Sequence, residues 1–297
     1  MMRALRAAAV FAGLFCVAAA GTQPRVRTIY VTVMDRSGLP VAGLTVGDFR
    51  VKEDGRVRKI EKAEPASDPM QIALLLDDGG PSLGAIRQAA GQFVERLQRR
   101  AVFSLTTTGG QPIERVKPTD DPRVVYDALQ KTFANASRTT QFLEAIAESA
   151  RDFVRRRAAR PVIVAIVSEG EELSDVRADA VLQAVQQSRA VFYHIGLGGP
   201  VTSGARPSLD SNRAAGSTEY ESLQRNVVIG SAPKNSGGRS EQVFQAAGIV
   251  PLMLEFAAEL AGQYAITYQT DALQARLEVT TTRDRVRVRA PARVGDR

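Results

Sequence analysis

Residues 72–93 read IALLLDDGGPSLGAIRQAAGQF, and they join an apolar strand pattern to a helical pattern through one short polar turn. The apolar run that starts at Ile72 is typical of a strand buried on both faces. It ends in Asp77 and Asp78, a Gly-Gly-Pro turn follows, and apolar residues then recur at helical spacing from Leu83 onward. A buried strand, a turn with carboxylates and a helix predict an α/β domain with a binding site at this turn.

Strand patterns and helix patterns continue to alternate along the chain after residue 93. Further buried strands are predicted at AVFSLTTT, PVIVAIVS and AVFYHIGLGG, and the helix DPRVVYDALQKTF begins with Asp121 as its cap. We therefore predict that residues 70–270 form a doubly wound, mostly parallel α/β domain, which QYAITYQT closes as the last strand. Residues 199–239 lack periodicity and are rich in Gly, Ser and Pro, which predicts a long insertion loop with a short helical or strand piece at residues 223–229.

Two segments outside this domain have a β pattern. Residues 26–66 alternate apolar and polar side chains, and Asp54-Gly55 is the expected turn of a hairpin. Residues 275–291 predict a second hairpin near the C-terminus. Neither segment is large enough to be stable alone, so we expect them to pack together as a small β-sandwich that flanks the α/β domain.

Residues 1–20 have the pattern of an export signal, with two arginines, a short apolar core and an A-x-A cleavage pattern at Ala18 and Ala20. The core is too short to span a bilayer, so we expect a secreted or periplasmic protein with no stable membrane span after cleavage. A retained anchor and a lipid-modified Cys16 are the alternatives, although Phe15 is bulky where a small residue is expected. Because Cys16 is the single cysteine, cleavage leaves a chain without disulfides or thiol chemistry.

The formal charge is +7, and arginines cluster in segments such as RDFVRRRAAR. Apart from Phe153, no aromatic residue lies among these arginines, so we expect a solvated basic face and no nucleic-acid partner. An anionic surface or an acidic partner stays possible.

His194 is the sole histidine and lies within an apolar strand pattern without a visible Ser-His-Asp arrangement, which favours a structural role over general-base catalysis.

Several segments together resemble one family. VTVMDRSGLPVAGLTVGDFRVKEDGRVRKIE is similar to a leading β segment, LLLDDGGPS takes the place of a metal-site signature, and TTQFLEAI and VIVAIVSEGEE fit two further metal loops. These motifs resemble the von Willebrand factor A-like domain proteins, and most of all the secreted bacterial "VWFA-related" proteins of acidobacteria. The resemblance covers nearly the whole chain after the signal, and it implies a von Willebrand factor A-like, Rossmann-like α/β fold.

The resemblance also implies a metal-ion-dependent adhesion site, which uses an Asp-x-Ser-x-Ser run, a Thr and an Asp on separate loops. Such a site holds Mg²⁺ through about six oxygens and leaves one position open for a carboxylate of the partner protein. Asp77 and Thr140 match the first Asp and the Thr, and Glu169 replaces the last Asp. Gly79 and Pro81 stand where the two serines belong, and neither offers a side-chain oxygen.

If the Asp-x-Ser-x-Ser run is aligned one residue later, Asp78 and Ser82 match its first and last members, but Gly80 at the middle position still offers no ligand oxygen. The aspartates could also simply favour the positive end of the following helix. We therefore expect no cofactor, with weakly bound Mg²⁺ as the alternative. The sequence favours a non-enzymatic module with a degenerate adhesion site that binds another protein in the envelope or outside the cell. A tolerant Mg²⁺-dependent adhesion domain is the alternative, a hydrolase with an unidentified nucleophile comes third, and the oligomeric state stays open.

Overall fold

The structure is a computed structural model that describes residues 25–135, 139–168, 170–198 and 215–295, with only the backbone for residues 215–218. The predicted export signal, residues 1–20, and the candidate ligand Glu169 lie outside the described residues.

Sixteen strands and six helices make up the described chain. The strands are β1 (Arg25–Met34), β2 (Phe49–Glu53), β3 (Arg56–Arg58), β4 (Ile60–Pro65), β5 (Met70–Leu76), β6 (Ala101–Thr107), β7 (Ile113–Thr119), β8 (Thr139–Thr140), β9 (Arg160–Ser168), β10 (Glu171–Glu172), β11 (Val191–Leu197), β12 (Arg239–Val243), β13 (Tyr264–Thr270), β14 (Gln274–Thr281), β15 (Arg287–Arg289) and β16 (Arg293–Gly295). The helices are α1 (Leu83–Leu97), α2 (Pro122–Lys131), α3 (Phe142–Arg155), α4 (Ala178–Ser188), α5 (Ala215–Ser236) and α6 (Ile249–Ala261).

The main sheet has the strand order β12-β11-β9-β5-β6-β7, and all neighbours are parallel except the antiparallel edge pair β6 and β7. Helices α1, α2 and α6 cover one face, and α3, α4 and α5 cover the other. Leu74 packs on the first side and Leu75 on the second, which explains why β5 is apolar throughout. The predicted doubly wound fold is therefore confirmed.

The strand order places a topological switch point beside β5. The chain passes from β5 to β6 on one side and later to β9 on the other side, so the loops that leave β5 and β9 diverge. Ligands of such sheets bind in the crevice that opens between diverging loops at the carboxyl ends of the strands. We call this end the carboxyl edge; Asp77 and Ser168 lie there.

Two four-stranded antiparallel sheets form the flanking β-sandwich, with orders β15-β1-β13-β4 and β16-β14-β2-β3. Their inner faces share one core, in which Val31, Val51 and Ile266 are fully buried. Asp54 and Gly55 have positive φ angles of 47° and 80°, as the tight hairpin turn between β2 and β3 requires. The predicted sandwich of N- and C-terminal strands is present.

Strand neighbours in the sandwich differ from the expected ones. β13, expected to close the α/β domain, pairs with β1 and β4 in the sandwich. β14 and β15, expected to form a hairpin, lie in opposite sheets, because β14 pairs with β2 and β16 whereas β15 pairs with β1. Alternation of side chains fixes which face of a strand is buried, but it does not select the neighbouring strand.

The second half of the expected insertion loop is a helix. Residues 215–236 form α5, and its Val228 and Ala232 are buried against the helices and strands of the second face. The helix is mostly polar and carries Pro233 in its last turn, so its sequence has little periodicity. Packing against the sheet stabilises α5, and the sequence of the helix does not reveal this packing. None of the helices that the structure describes is both long and apolar enough to cross a bilayer.

Candidate functional site

A cleft of about 480 Å³ opens at the carboxyl edge, between the loops that follow β5 and β9. Its lining includes Asp77, Gly79, Pro81, Ser82, Thr140, Ser168 and Phe244. The structure thus brings Asp77, Thr140 and Ser82 together, although they come from two separate regions of the sequence.

Asp77 is held in place by backbone groups. Its own amide donates to the carbonyl of Ile166 at 2.9 Å, which continues the pairing of β5 with β9. The Ser168 amide donates to Oδ2 at 2.9 Å, and the Gly79 amide donates to Oδ1 at 2.7 Å. Within the described chain, Asp77 forms no ion pair. The carboxylate therefore ties the two diverging loops together while its charge is balanced only by amide dipoles.

Asp78 points to the other side of the loop and does not line the cleft. The Gly109 amide donates to its Oδ1 at 2.9 Å, and Arg115 lies 3.5 Å from its Oδ2. A Cβ atom at Gly109 would lie only 2.5 Å from Oδ1, so a glycine is needed for this close approach. Asp78 thus connects the β5 loop to the β6–β7 side of the sheet.

The hydroxyls of the cleft are only partly satisfied. The Thr140 hydroxyl donates to the carbonyl of Thr108 at 2.8 Å, and its residue is buried. The Ser168 hydroxyl is buried without a hydrogen-bond partner in the described chain. A buried hydroxyl without a partner carries a desolvation cost, and such groups often mark a place where a ligand or water binds.

The described side chains of the cleft offer one carboxylate and the hydroxyls of Ser82, Thr139, Thr140 and Ser168. Gly79 and Pro81 contribute no side-chain oxygen. Residues 25–135, 139–168, 170–198 and 215–295 contain no group of three or more His, Cys, Asp or Glu side chains that could hold a metal ion. Because Mg²⁺ requires near-octahedral oxygen ligation and favours carboxylates, this donor set fits the ion poorly.

A second buried carboxylate lies beside the cleft. Glu172 on β10 is fully buried, and β10 pairs with β8, which carries Thr140. The Ser174 hydroxyl donates to Oε1, while Oε2 has no partner among the described residues. Burial raises the pKa of Glu172 to about 7, although Ser174 and the nearby Arg225 act in the opposite direction. Sequence reasoning missed this residue, because in SEGEE it is indistinguishable from an exposed loop glutamate.

His194 contacts a serine but has the properties of a structural residue. Its Nδ1 lies 2.8 Å from the Ser240 hydroxyl on the neighbouring strand. Burial, with a smaller contribution from Arg225, lowers the pKa of His194 to about 3. A general base works best with a pKa near the operating pH, so this imidazole is too weak a base for hydrolysis.

Two large aromatic side chains stand exposed at the carboxyl edge. Phe244 is 72% exposed and lines the cleft, and Phe133 is 79% exposed on the loop that follows α2. That loop is fixed to the edge, because the Asn135 amide donates to the carbonyl of Asp78 at 2.7 Å. The sequence did not single out either residue, because a lone aromatic residue in a loop has no periodicity to interpret.

Comparison with solved structures identifies the fold. A von Willebrand factor type A protein from Catenulispora acidiphila matches with a TM-score of 0.50 and 10% identity, over 86% of this chain and 75% of that one. Proximal thread matrix protein 1 from the mussel byssus matches with a TM-score of 0.50 and 12% identity, over 70% of this chain and 50% of that one. No protein-family model matches the sequence, and neither does any curated protein.

The α/β unit therefore has the von Willebrand factor A-type fold, and the recognition of that fold from sequence is confirmed. Identities of 10% and 12% show the fold alone.

Proposed function

We propose that this protein is an exported, non-enzymatic interaction module that binds another protein through the cleft at the carboxyl edge, without a strict requirement for a divalent metal. The von Willebrand factor A-type fold and the cleft at the switch point support the place of binding. The observation that carries the proposal is the set of side chains in the cleft, where Gly79 and Pro81 offer no ligand oxygen and the carboxylate of Asp77 is occupied by backbone amides.

The exposed aromatic residues supply a different source of binding energy. Phe133 and Phe244 present apolar surface at the same edge. Buried aromatic anchors dominate the energy of many protein–protein interfaces, and they need no metal ion. The neutral, weakly basic His194 and the absence of a carboxylate partner for it in the described chain argue for binding rather than hydrolysis. Export itself rests on the predicted signal at residues 1–20.

An affinity pull-down from the native cell envelope tests the proposal. Wild type and a Phe133→Ser/Phe244→Ser variant are used as baits, each with and without a chelator. We expect the same partner in both wild-type samples and its loss from the variant. A partner retained only without chelator would support the alternative, a Mg²⁺-dependent adhesion domain, which the unpaired Ser168 hydroxyl favours. A partner that both baits retain equally would show that binding does not use this edge.

A further inference from the structure

A second cavity, of about 350 Å³, lies at the opposite end of the main sheet. One side is formed by the starts of β9 and β11 together with the last turns of α4 and α5, and the other side by β1 of the sandwich. Residues 291–294, at the start of β16, cover it. We call it the seam cavity, because it lies where the α/β domain meets the sandwich.

The walls of the seam cavity are mostly apolar. They include Ile29, Pro161, Leu182, Val185, Val191 and Ala232. All of these except Pro161 and Leu182 belong to the buried hydrophobic core of the two units. Cavities of 300 Å³ or more with apolar walls and a few polar groups are the usual form of small-molecule sites, and they occur preferentially between domains.

The side chains of Ser236 and Arg27, which line the cavity, are already used by the protein. The Ser236 hydroxyl accepts from the Phe192 amide at 2.9 Å and donates to the carbonyl of Pro233 at 3.1 Å. Arg27 forms a buried ion pair with Glu53 at 2.6 Å. A ligand in the interior would therefore be held mainly by apolar contacts, and its polar end would have to lie at the rim.

Arg293 supplies a cation at that rim. It lies on β16, lines the cavity and is exposed, and its guanidinium forms no ion pair or side-chain hydrogen bond with the residues that the structure describes. Arg189, which also lines the cavity, donates to the carbonyl of Gly295 and adds a second positive charge nearby. A guanidinium matches a planar acid group through two parallel hydrogen bonds.

We propose that the seam cavity binds a small single-chain amphipathic acid, with its aliphatic or aromatic body between Leu182, Val191 and Ala232 and its acid group at Arg293. The combination of apolar walls, satisfied interior polar groups and an unpaired cation at the mouth favours this ligand over a neutral molecule or a peptide. The site is separate from the carboxyl edge, so it does not depend on the function proposed above.

Displacement of 1-anilinonaphthalene-8-sulfonate by decanoate or 1-decanol tests the proposal on the full-length protein. We expect saturable binding of the dye and competition by both compounds, with decanoate the stronger. Arg293→Gln should weaken decanoate about 3-fold and leave decanol unchanged, as for an exposed ion pair. Arg99→Gln, which removes an exposed arginine that does not line the cavity, is the matched control and should change neither.

Leu182→Trp should fill the cavity and weaken both competitors at least 10-fold. If Leu182→Trp fails to fold, Gln186→Trp takes its place. Gln186 is exposed and lines the same cavity, so a tryptophan there should narrow the opening and also weaken both competitors. Dioctanoyl phosphatidylglycerol should not compete, because its two eight-carbon chains together exceed the cavity volume of about 350 Å³. Competition as strong as that of decanoate would assign the site to membrane lipid instead. The proposal is overturned by an absence of saturable binding, or by folded Leu182→Trp or Gln186→Trp variants that bind decanoate like wild type.

Discussion

The β-sandwich and the carboxyl edge each bury one glutamate completely, but only the glutamate of the sandwich is paired with arginines. Glu53 in the sandwich is 0% exposed and lies 2.6 Å from Arg27 and 3.0 Å from Arg58, and the hydroxyls of Tyr268 and Thr270 also donate to it. Glu172 beside the cleft is equally buried, but its Oε2 has no partner in the described chain, and its pKa rises to about 7.

This difference distinguishes a structural region from the proposed binding site. Two arginines neutralise Glu53 and join strands that are distant in the sequence. At the carboxyl edge, no described cation contacts Glu172 or Asp77, and the Ser168 hydroxyl is also without a partner. Polar groups that the fold itself leaves under-satisfied are concentrated at binding sites, where a ligand completes them.

The largest effect is expected in the sandwich. Glu53→Ala leaves Arg27 and Arg58 without their buried carboxylate and should lower the free energy of unfolding by about 3–5 kcal/mol. Urea denaturation measures it. Glu278→Ala, which removes only an exposed partner of Lys52, is the control and should cost less than about 1 kcal/mol. Equal losses in the two variants would mean that the Glu53 network contributes no more than a surface pair.

Glu172 should give the protein a pH dependence that Glu172→Gln lacks. The folded state keeps the proton up to a pKa of about 7, whereas the unfolded state releases it near 4.5. Between these values the folded state binds more protons, so stability is full below pH 4.5 and falls as the pH rises through 7. Relative to Glu172→Gln, wild type should lose about 2–3 kcal/mol between pH 4 and pH 8.

Urea denaturation across this pH range measures the difference. Glu171→Gln, at the exposed neighbouring position, is the control and should follow wild type. A parallel pH profile for wild type and Glu172→Gln would show that Glu172 is ionised in the folded protein and that the contrast with Glu53 is wrong.

Asp77→Ala should have a smaller effect. It leaves the Ser168 and Gly79 amides without their acceptor and should cost about 1–3 kcal/mol. Asp77→Asn keeps one acceptor oxygen and should cost less. Thermal denaturation in chelator measures both variants. An equal loss for Asn and Ala would mean that the carboxylate charge, rather than its hydrogen bonds, holds the two loops.

The smallest effect on stability is expected at the aromatic residues of the edge. Phe133→Ser and Phe244→Ser remove exposed side chains and should change the free energy of unfolding by no more than about 0.5 kcal/mol. The same variants should lose the partner in the pull-down. A loss of stability above 2 kcal/mol would show that these side chains belong to the core in solution.

Local patterns predicted local structure well. The apolar run before Asp77 is the central strand β5, Asp121 caps α2 by accepting from the Arg123 amide, and Asp54-Gly55 is a hairpin turn. Each of these depends on residues adjacent in the sequence. The doubly wound fold follows from the same patterns, because continuous apolar strands alternating with amphipathic helices have few other ways to bury both faces.

Features set by distant contacts were not predictable. The partners of β13 depend on β1 and β4, which lie about 200 residues away, and α5 depends on a sheet face that its own polar sequence does not reveal. At the site, the placement of Asp77 and Thr140 in one cleft followed from the fold. The burial of Glu172 did not, because a short strand pairing with Thr140 determines it.

A magnesium titration followed by thermal denaturation tests most directly the proposal that binding at the carboxyl edge has no strict metal requirement. We expect the melting temperatures of both wild type and Asp77→Ala to stay constant through micromolar Mg²⁺. A melting temperature that rises in wild type at micromolar Mg²⁺ and does not rise in Asp77→Ala would overturn this proposal and establish a Mg²⁺ site that uses Asp77.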